Sequence, residues 1–162
     1  MADKTLDDLF LDTLKDIYYA ERQIVKTLPK MAKAATSPEL KAGFEQHQQE
    51  TEVQIERLQQ IFELLGKPAR GKTCDAILGI IEEGKSIIEE YEGSSALDAG
   101  LVAAGQAVEH YEIARYGTLK AWATQLGMDE AVTLLDATLQ EEIATDLKLT
   151  EVGTAAVNQK AA

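Results

Sequence analysis

The chain of 162 residues has one cysteine, three prolines, one tryptophan and two histidines. A lone cysteine excludes an internal disulfide and a cysteine-based zinc site. With so few prolines, little interrupts long helices. No apolar run reaches about 18 residues, so no transmembrane helix is expected. The acidic N-terminus carries no signal-peptide pattern, and a soluble cytoplasmic protein is the default reading. Cations are also scarce. Sixteen Lys and Arg stand against 28 Asp and Glu, a net charge of −12, which argues against a nucleic acid or an anionic membrane as partner. The hydrophobic share of 45% is that of a globular chain, and the length suffices for one domain with a real core.

Helix signals recur, and no strand pattern is present. Thr5 and Asp8 make a capping-box-like pair that opens a first long helix. One seam of this helix runs Leu14, Tyr18, Glu21, Val25, Leu28, Ala32; another, through Leu6, Phe10, Thr13, Ile17 and Ile24, leaves Glu21 to one side. Pro29 is expected to kink the helix or end its first part, because it removes a donor and clashes with the preceding turn. Ser37 as N-cap and Pro38 at the first helical position start a second helix, which runs to about Leu65 and stops at Gly66. After a basic loop at 66–73, an extra helix from about Cys74 to Tyr91 presents Ile77, Ile80, Ile81, Ile87 and Ile88 on one face. Ser95 and Asp98 are expected to cap a third long helix ending near Leu126, and a fourth spans about Asp129 to Val152. The expected fold is all-α: a four-helix bundle with an additional helix in the crossover between its second and third helices. The short connections make two antiparallel hairpins. Residues 1–152 form the single domain, and 153–162 a flexible C-terminal tail.

Chemistry enters at the centre of the seams. On the third long helix Val102, Gly105, Glu109, Glu112, Tyr116, Leu119 and Ala123 follow one another in alternating steps of three and four, the spacing of one helix side. An unpaired carboxylate on a buried seam costs several kcal/mol, so Glu109 and Glu112 need a cation or a dense hydrogen-bond network. The second helix offers Gly43, His47, Glu50, Gln54, Arg57, Ile61 and Leu64; the fourth offers Val132, Leu135, Leu139, Glu142, Asp146 and Leu149. The inward acids are then Glu21, Glu50, Glu109, Glu112, Glu142 and Asp146. The separations Glu21 to Glu50 and Glu112 to Glu142 differ by one residue, and Lys26-Thr27-Leu28 falls where Gly117-Thr118-Leu119 does, as in a duplicated hairpin. Carboxylates from four helices can hold two divalent ions. Oxygen-rich ligation suits iron or manganese better than zinc or copper. The usual Glu-x-x-His pairing is absent: Val53 and Thr145 stand third after Glu50 and Glu142. The competing reading is a buried ionic network in which Arg57 and Arg115 neutralise the seam acids without metal. His47 reads as a partner of the acids more than as a ligand, and Gln54 as either ligand or hydrogen-bond donor. Tyr18, Tyr19, Tyr111, Tyr116 and Cys74 read as packing residues, and the isoleucine face as core or a dimer contact.

Four stretches carry a resemblance. Asp16-Ile17-Tyr18-Tyr19-Ala20-Glu21, His47-Gln48-Gln49-Glu50-Thr51 with Gln54-Ile55-Glu56-Arg57, the run Glu109-His110-Tyr111-Glu112-Ile113-Ala114-Arg115-Tyr116-Gly117-Thr118-Leu119, and Glu141-Glu142 with Asp146-Leu147-Lys148-Leu149-Thr150 resemble the YciE/YciF family over nearly the whole chain. The resemblance implies a ferritin-like bundle, a di-iron centre, a homodimer and a bacterial stress-response setting. In an oxidase- or peroxidase-like scheme acting on O2 or peroxide, Glu21 and Glu112 would be terminal ligands and Glu50 and Glu142 bridges. Asp146, Glu109 and Gln54 would complete the surroundings. A non-catalytic helical stress adaptor or structural protein is the alternative.

Overall fold

The computed structural model describes residues 3–162, and the described residues contain helices and no strand. The order is α1 (Leu6–Ala34), α2 (Pro38–Leu64), α3 (Asp75–Glu90), α4 (Leu97–Gln125) and α5 (Asp129–Val152). A π turn (Gly153–Val157) and a short α6 (Asn158–Ala161) follow. The start signals act largely as their chemistry predicts. Thr5 and Asp8 form a complete capping box on α1, and the Ser37 hydroxyl accepts from the Leu40 N–H at the start of α2, with Pro38 behind it. Gly66 and Gly127, which end α2 and α4, have φ of 63° and 70°, where a side chain would be strained.

Two local expectations need correction. Pro29 neither ends nor divides α1, which continues unbroken to Ala34. Pro29 lies on the exposed face, so water can satisfy the carbonyl that loses its donor. Ser95 and Asp98 do not cap α4; its N-cap is Ala96, without a side-chain bond. Asp98 instead accepts from Thr36 N–H at 2.8 Å, Thr36 Oγ1 at 2.6 Å and Ser37 N–H at 2.8 Å. It ties the α1–α2 turn to the start of α4.

The four long helices form a ring in the order α1, α2, α5, α4, each packed on its two neighbours, with α3 laid outside against α1 and α4. Gln46 meets Lys148 and Arg57 meets Thr138, so α2 and α5 run antiparallel. The end of α1 at Thr36 lies beside the start of α4 at Asp98, so that pair is antiparallel too. Helices α2 and α4 are consequently diagonal and parallel, joined by the long crossover that carries α3. This is the ferritin-like arrangement of a four-helix bundle.

The core fills the ring above and below the centre. Phe10, Leu14, Ile17, Phe44, Phe62 and Leu119 are at most 1% exposed. Each such side chain contributes roughly 1.5–3 kcal/mol by leaving water. The wide buried stripe of α1 holds members of both expected seams, Leu14, Tyr18, Glu21 and Leu28 as well as Phe10, Ile17 and Ile24. Beyond α5, Gly153 allows the π turn to press on α4; a Cβ there would come within 3.3 Å of Val102 Cγ1. Val157 is buried in turn. No helix among the described residues is long and apolar enough to cross a membrane.

Candidate metal centre

All seven residues of the α4 seam are buried, so Glu109 and Glu112 enter the bundle axis as their spacing requires. Glu21 from α1 and Glu142 from α5 join them, and the exposure of all four carboxylates is 1% or less. His47 of α2 completes the group at 2% exposure. One ligand atom from each of His47, Glu109, Glu112 and Glu142 can be chosen so that all lie within 4.8 Å of one another. His47 Nδ1 stands 2.7 Å from Glu109 Oε1, and its Nε2 lies 3.6 Å from Glu142 and 3.8 Å from Glu112. The 2.7 Å approach does not have the direction of a hydrogen bond, and Glu109 Oε1 accepts none.

The neighbours hold the carboxylates without neutralising them. Tyr116 Oη donates to Glu21 Oε1, and Gln54 Nε2 donates to Glu142 Oε1 and, at 3.0 Å, to Glu141 Oε2. Arg57 does not reach the centre. Its two terminal nitrogens grip Glu141 at 2.7 Å each, while Arg115 lies over the Tyr111 ring. The arginine-neutralised network is therefore not what the structure builds. Among the described residues, no lysine or arginine pairs with Glu21, Glu109, Glu112 or Glu142.

The electrostatic result is a cluster pushed toward neutrality. Burial, followed by the charge of Glu142, raises Glu21 to about 8. The same causes in the same order put Glu109 and Glu112 well above the usual carboxylate range. Burial holds the His47 imidazole below its ordinary value despite the acids around it. Outside the centre, burial pushes Glu141 up, but Arg57 together with Gln54 overrides it and keeps that carboxyl low. Among the described residues, eight buried side-chain polar atoms have no hydrogen-bond partner: Glu21 Oε2, His47 Nε2, Gln54 Oε1, both oxygens of Glu109 and of Glu112, and Glu142 Oε2. Buried polar atoms are nearly always satisfied, and each orphan costs about 1–3 kcal/mol. A divalent cation satisfies such a donor set, so the residues fit a metal.

Glu50 and Asp146 stand at the rim. Glu50 is half-buried between α2 and α5, where it accepts from Gln46 Nε2 at 2.8 Å and from Thr145 Oγ1 at 3.4 Å. Asp146 is 22% exposed and lies 3.1 Å from His110 Nε2. On α2 the buried line is Leu40, Phe44, His47, Thr51, Gln54, Leu58 and Ile61. Gly43, Glu50, Arg57 and Leu64 of the expected seam are only partly buried or exposed. The duplicated spacing contained this result. Glu112 to Glu142 is matched by Glu21 to Thr51, so Thr51, not Glu50, occupies the counterpart of Glu142. Tyr116, read as packing, is also the donor that fixes Glu21.

The comparisons agree with this architecture. Residues 5–162 match the family described as a domain of unknown function, DUF892. Protein YciF of Escherichia coli K12 is 45% identical over 159 residues, covering 98% of this chain and 96% of the relative. The crystal structure of the E. coli stress protein YciF superposes with a TM-score of 0.91 at 44% identity, covering 96% of this chain and 99% of that one. YcfI of Rhodopseudomonas palustris, named as a proposed structural protein, gives 0.88 at 51% identity over 91% and 94%. A Xanthomonas campestris protein gives 0.75 at 26% over 96% and 94%. This chain therefore belongs to the DUF892 family and has the YciF stress protein as a full-length relative.

Proposed function

We propose that the centre binds divalent metal, two ions when filled, and that the protein serves a bacterial stress response as a di-metal carboxylate protein. Iron is the proposed native metal and manganese the other candidate. The observation that carries this reading is the set of eight orphaned buried atoms on six side chains, none of whose carboxylates pairs with a Lys or Arg among the described residues. His47, Glu109, Glu112 and Glu142 would hold one ion, and Glu21 with Glu112 and Glu142 the second. Gln54 and Tyr116 would orient Glu142 and Glu21 from behind. Glu50 and Asp146 would serve from the rim. Bound iron would supply the electrons and Lewis acidity for reduction of O2 or peroxide. The protein's own part is to release the protons of Glu21, Glu109 and Glu112 as a cation enters, and to keep bulk water out of the bundle axis. The homodimeric state rests on the family resemblance.

Metal analysis of protein from its native host tests the reading. Two iron or manganese ions per chain are expected, with none in a Glu112→Gln/Glu142→Gln variant. Iron-loaded protein that neither consumes peroxide nor oxidises Fe(II) would remove the redox role and leave metal binding. The adaptor reading has its own support in the apolar side of α3, where Leu78 is 38% exposed and Ile80, Ile81 and Ile88 line a groove with α1 and α4. A stoichiometric partner that still binds the Glu112→Gln/Glu142→Gln variant would favour it.

A further inference from the structure

Carboxylates that are 1% exposed or less pose a loading problem, because a hydrated cation must cross the wall of the bundle to reach them. The wall is open between α2 and α5. A cavity of about 160 Å³ lies there, lined among others by Gly43, His47, Glu50, Ala144, Thr145 and Lys148. His47 belongs both to this lining and to the central group, and its buried Nε2 has no partner. The cavity therefore abuts the centre itself.

Two features of the lining bear on entry, and the first has no explanation in packing. Gly43 sits inside α2, where glycine is a poor helix former. A Cβ there would meet nothing within 4 Å, and its φ is not positive, so neither close packing nor backbone conformation calls for glycine. Its effect is to leave the cavity unfilled. Across the mouth runs a belt of side chains drawn from both helices. Lys148 Nζ donates to Gln46 Oε1 at 3.0 Å, Gln46 Nε2 donates to Glu50 Oε1 at 2.8 Å, and Thr145 Oγ1 donates to Glu50 Oε2 at 3.4 Å. Glu50 is thus a carboxylate held at the entrance by neutral donors.

We propose that the α2–α5 cavity is the route by which a divalent cation enters the centre, and that Glu50 is the transfer ligand at its mouth. The proposal rests on the metal-binding reading above and adds a path and a role for Glu50. A cation arriving at the surface exchanges part of its water for the Glu50 carboxylate, leaves the belt, and is handed to His47 and the acids behind it. The bound end state does not need Glu50.

Stopped-flow uptake of Co(II), followed by its visible absorbance, tests this on the whole chain. Gly43→Leu fills the passage and replaces a poor helix former, so it should fold. Glu50→Gln removes the charge while Gln46 and Thr145 keep a partner. Both variants should take up Co(II) more slowly, Glu50→Gln about tenfold at low salt, the order by which a charged, focused entrance raises association. Both should reach the wild-type stoichiometry. Glu63→Gln, which removes one charge from the exposed far end of α2, should load at the wild-type rate. Added salt should shrink the Glu50→Gln effect and leave the Gly43→Leu effect, since only the first is a matter of charge. Loading of Gly43→Leu at the wild-type rate overturns the route. A lower final stoichiometry in Glu50→Gln overturns the transfer role, because it makes Glu50 a resident ligand. A wild-type protein that takes up no Co(II) rejects the metal reading itself, an outcome distinct from metal that binds by another path.

Discussion

The hairpin α1–α2 and the hairpin α4–α5 occupy one frame, offset by 91 residues in the numbering, and carry different chemistry at its centre. At the ends of the frame the paired positions are apolar on both sides: Leu28 with Leu119, Ala32 with Ala123, Phe44 with Leu135, Leu58 with Leu149, all buried. In the middle they diverge. Tyr18 faces the frame position of Glu109, His47 that of Thr138, and Thr51 that of Glu142; only Glu21 and Glu112 agree. The second hairpin thus supplies three of the four central carboxylates, and the first supplies one with the imidazole. The end layers need only volume, which many apolar residues provide. The middle layer changes its ligand groups with these exchanges, so it determines what the bundle can bind.

The largest expected effect comes from the unequal share of carboxylates. Metal that binds only the folded state stabilises it by about 4 kcal/mol at a thousandfold excess over Kd. Fe(II) or Mn(II) should therefore raise the melting temperature of the wild type, and Glu142→Ala should abolish most of the rise. In the apo protein the same substitution should cost little, because it relieves Glu21, Glu109 and Glu112 of a repelling charge. Melting curves with and without metal measure both. Wild-type melts indifferent to both metals at saturation would falsify the metal centre.

The pH dependence of the apo protein should be of opposite sign to that of the metal response. Glu21 binds its proton up to about pH 8 when folded and up to about 4.5 when unfolded. Between those values the folded state holds more protons, so its stability is full below about 4.5 and falls as pH rises toward 8. Metal binding needs the ionised acids, so the metal-induced stabilisation should grow over the same window. Glu21→Gln should flatten the apo slope. An unchanged slope in thermal melts from pH 5 to 8 would show that Glu21 does not titrate as its burial demands.

How much of this was legible depended on whether spacing and chemistry pointed the same way. On α4 they did, and the whole seam from Val102 to Ala123 is buried as read. On α2 the steps 47–50–54 and 47–51–54 are both legal on a helix face, three then four or four then three, and periodicity does not separate them. Favouring the acid selected Glu50, whereas the burial goes to Thr51. The repeat could have decided between them, because the Glu112–Glu142 interval points to Thr51. His47 lay on both lines, but its role depended on contacts with α4 and α5, which its own helix does not encode. Asp98 had the spacing of a cap, and it was drawn away by Thr36 and Ser37, 62 and 61 residues earlier, which no local rule anticipates.

Asp98 also offers the next prediction. Its counterpart in the frame is Asp7, an exposed acid in the first turn of α1, while Asp98 is 8% exposed and accepts three hydrogen bonds from the other hairpin. Asp98→Ala should cost at least about 2 kcal/mol, the middle of the range for a single bond to a charged group, since three are lost. Asp7→Ala should cost no more than about 0.5 kcal/mol, the exposed share of a helix-dipole interaction. Urea unfolding of the two variants compares them directly. Equal losses would mean that the latch between the hairpins contributes nothing beyond the dipole.

The smallest effect is expected at Thr51, the first hairpin's counterpart of Glu142. Its hydroxyl is fully buried and donates only to the carbonyl of His47, four residues back on the same helix, at 2.8 Å. That carbonyl keeps the backbone N–H of residue 51 as a donor in any variant. Thr51→Val therefore leaves no orphaned acceptor and nearly preserves volume and branching. The loss should stay below about 1 kcal/mol, that of one redundant neutral hydrogen bond. The metal-induced rise in melting temperature should survive intact. If it is instead lost with the hydroxyl, Thr51 is a working member of the centre, and the two hairpins share the chemistry more equally than their carboxylates suggest.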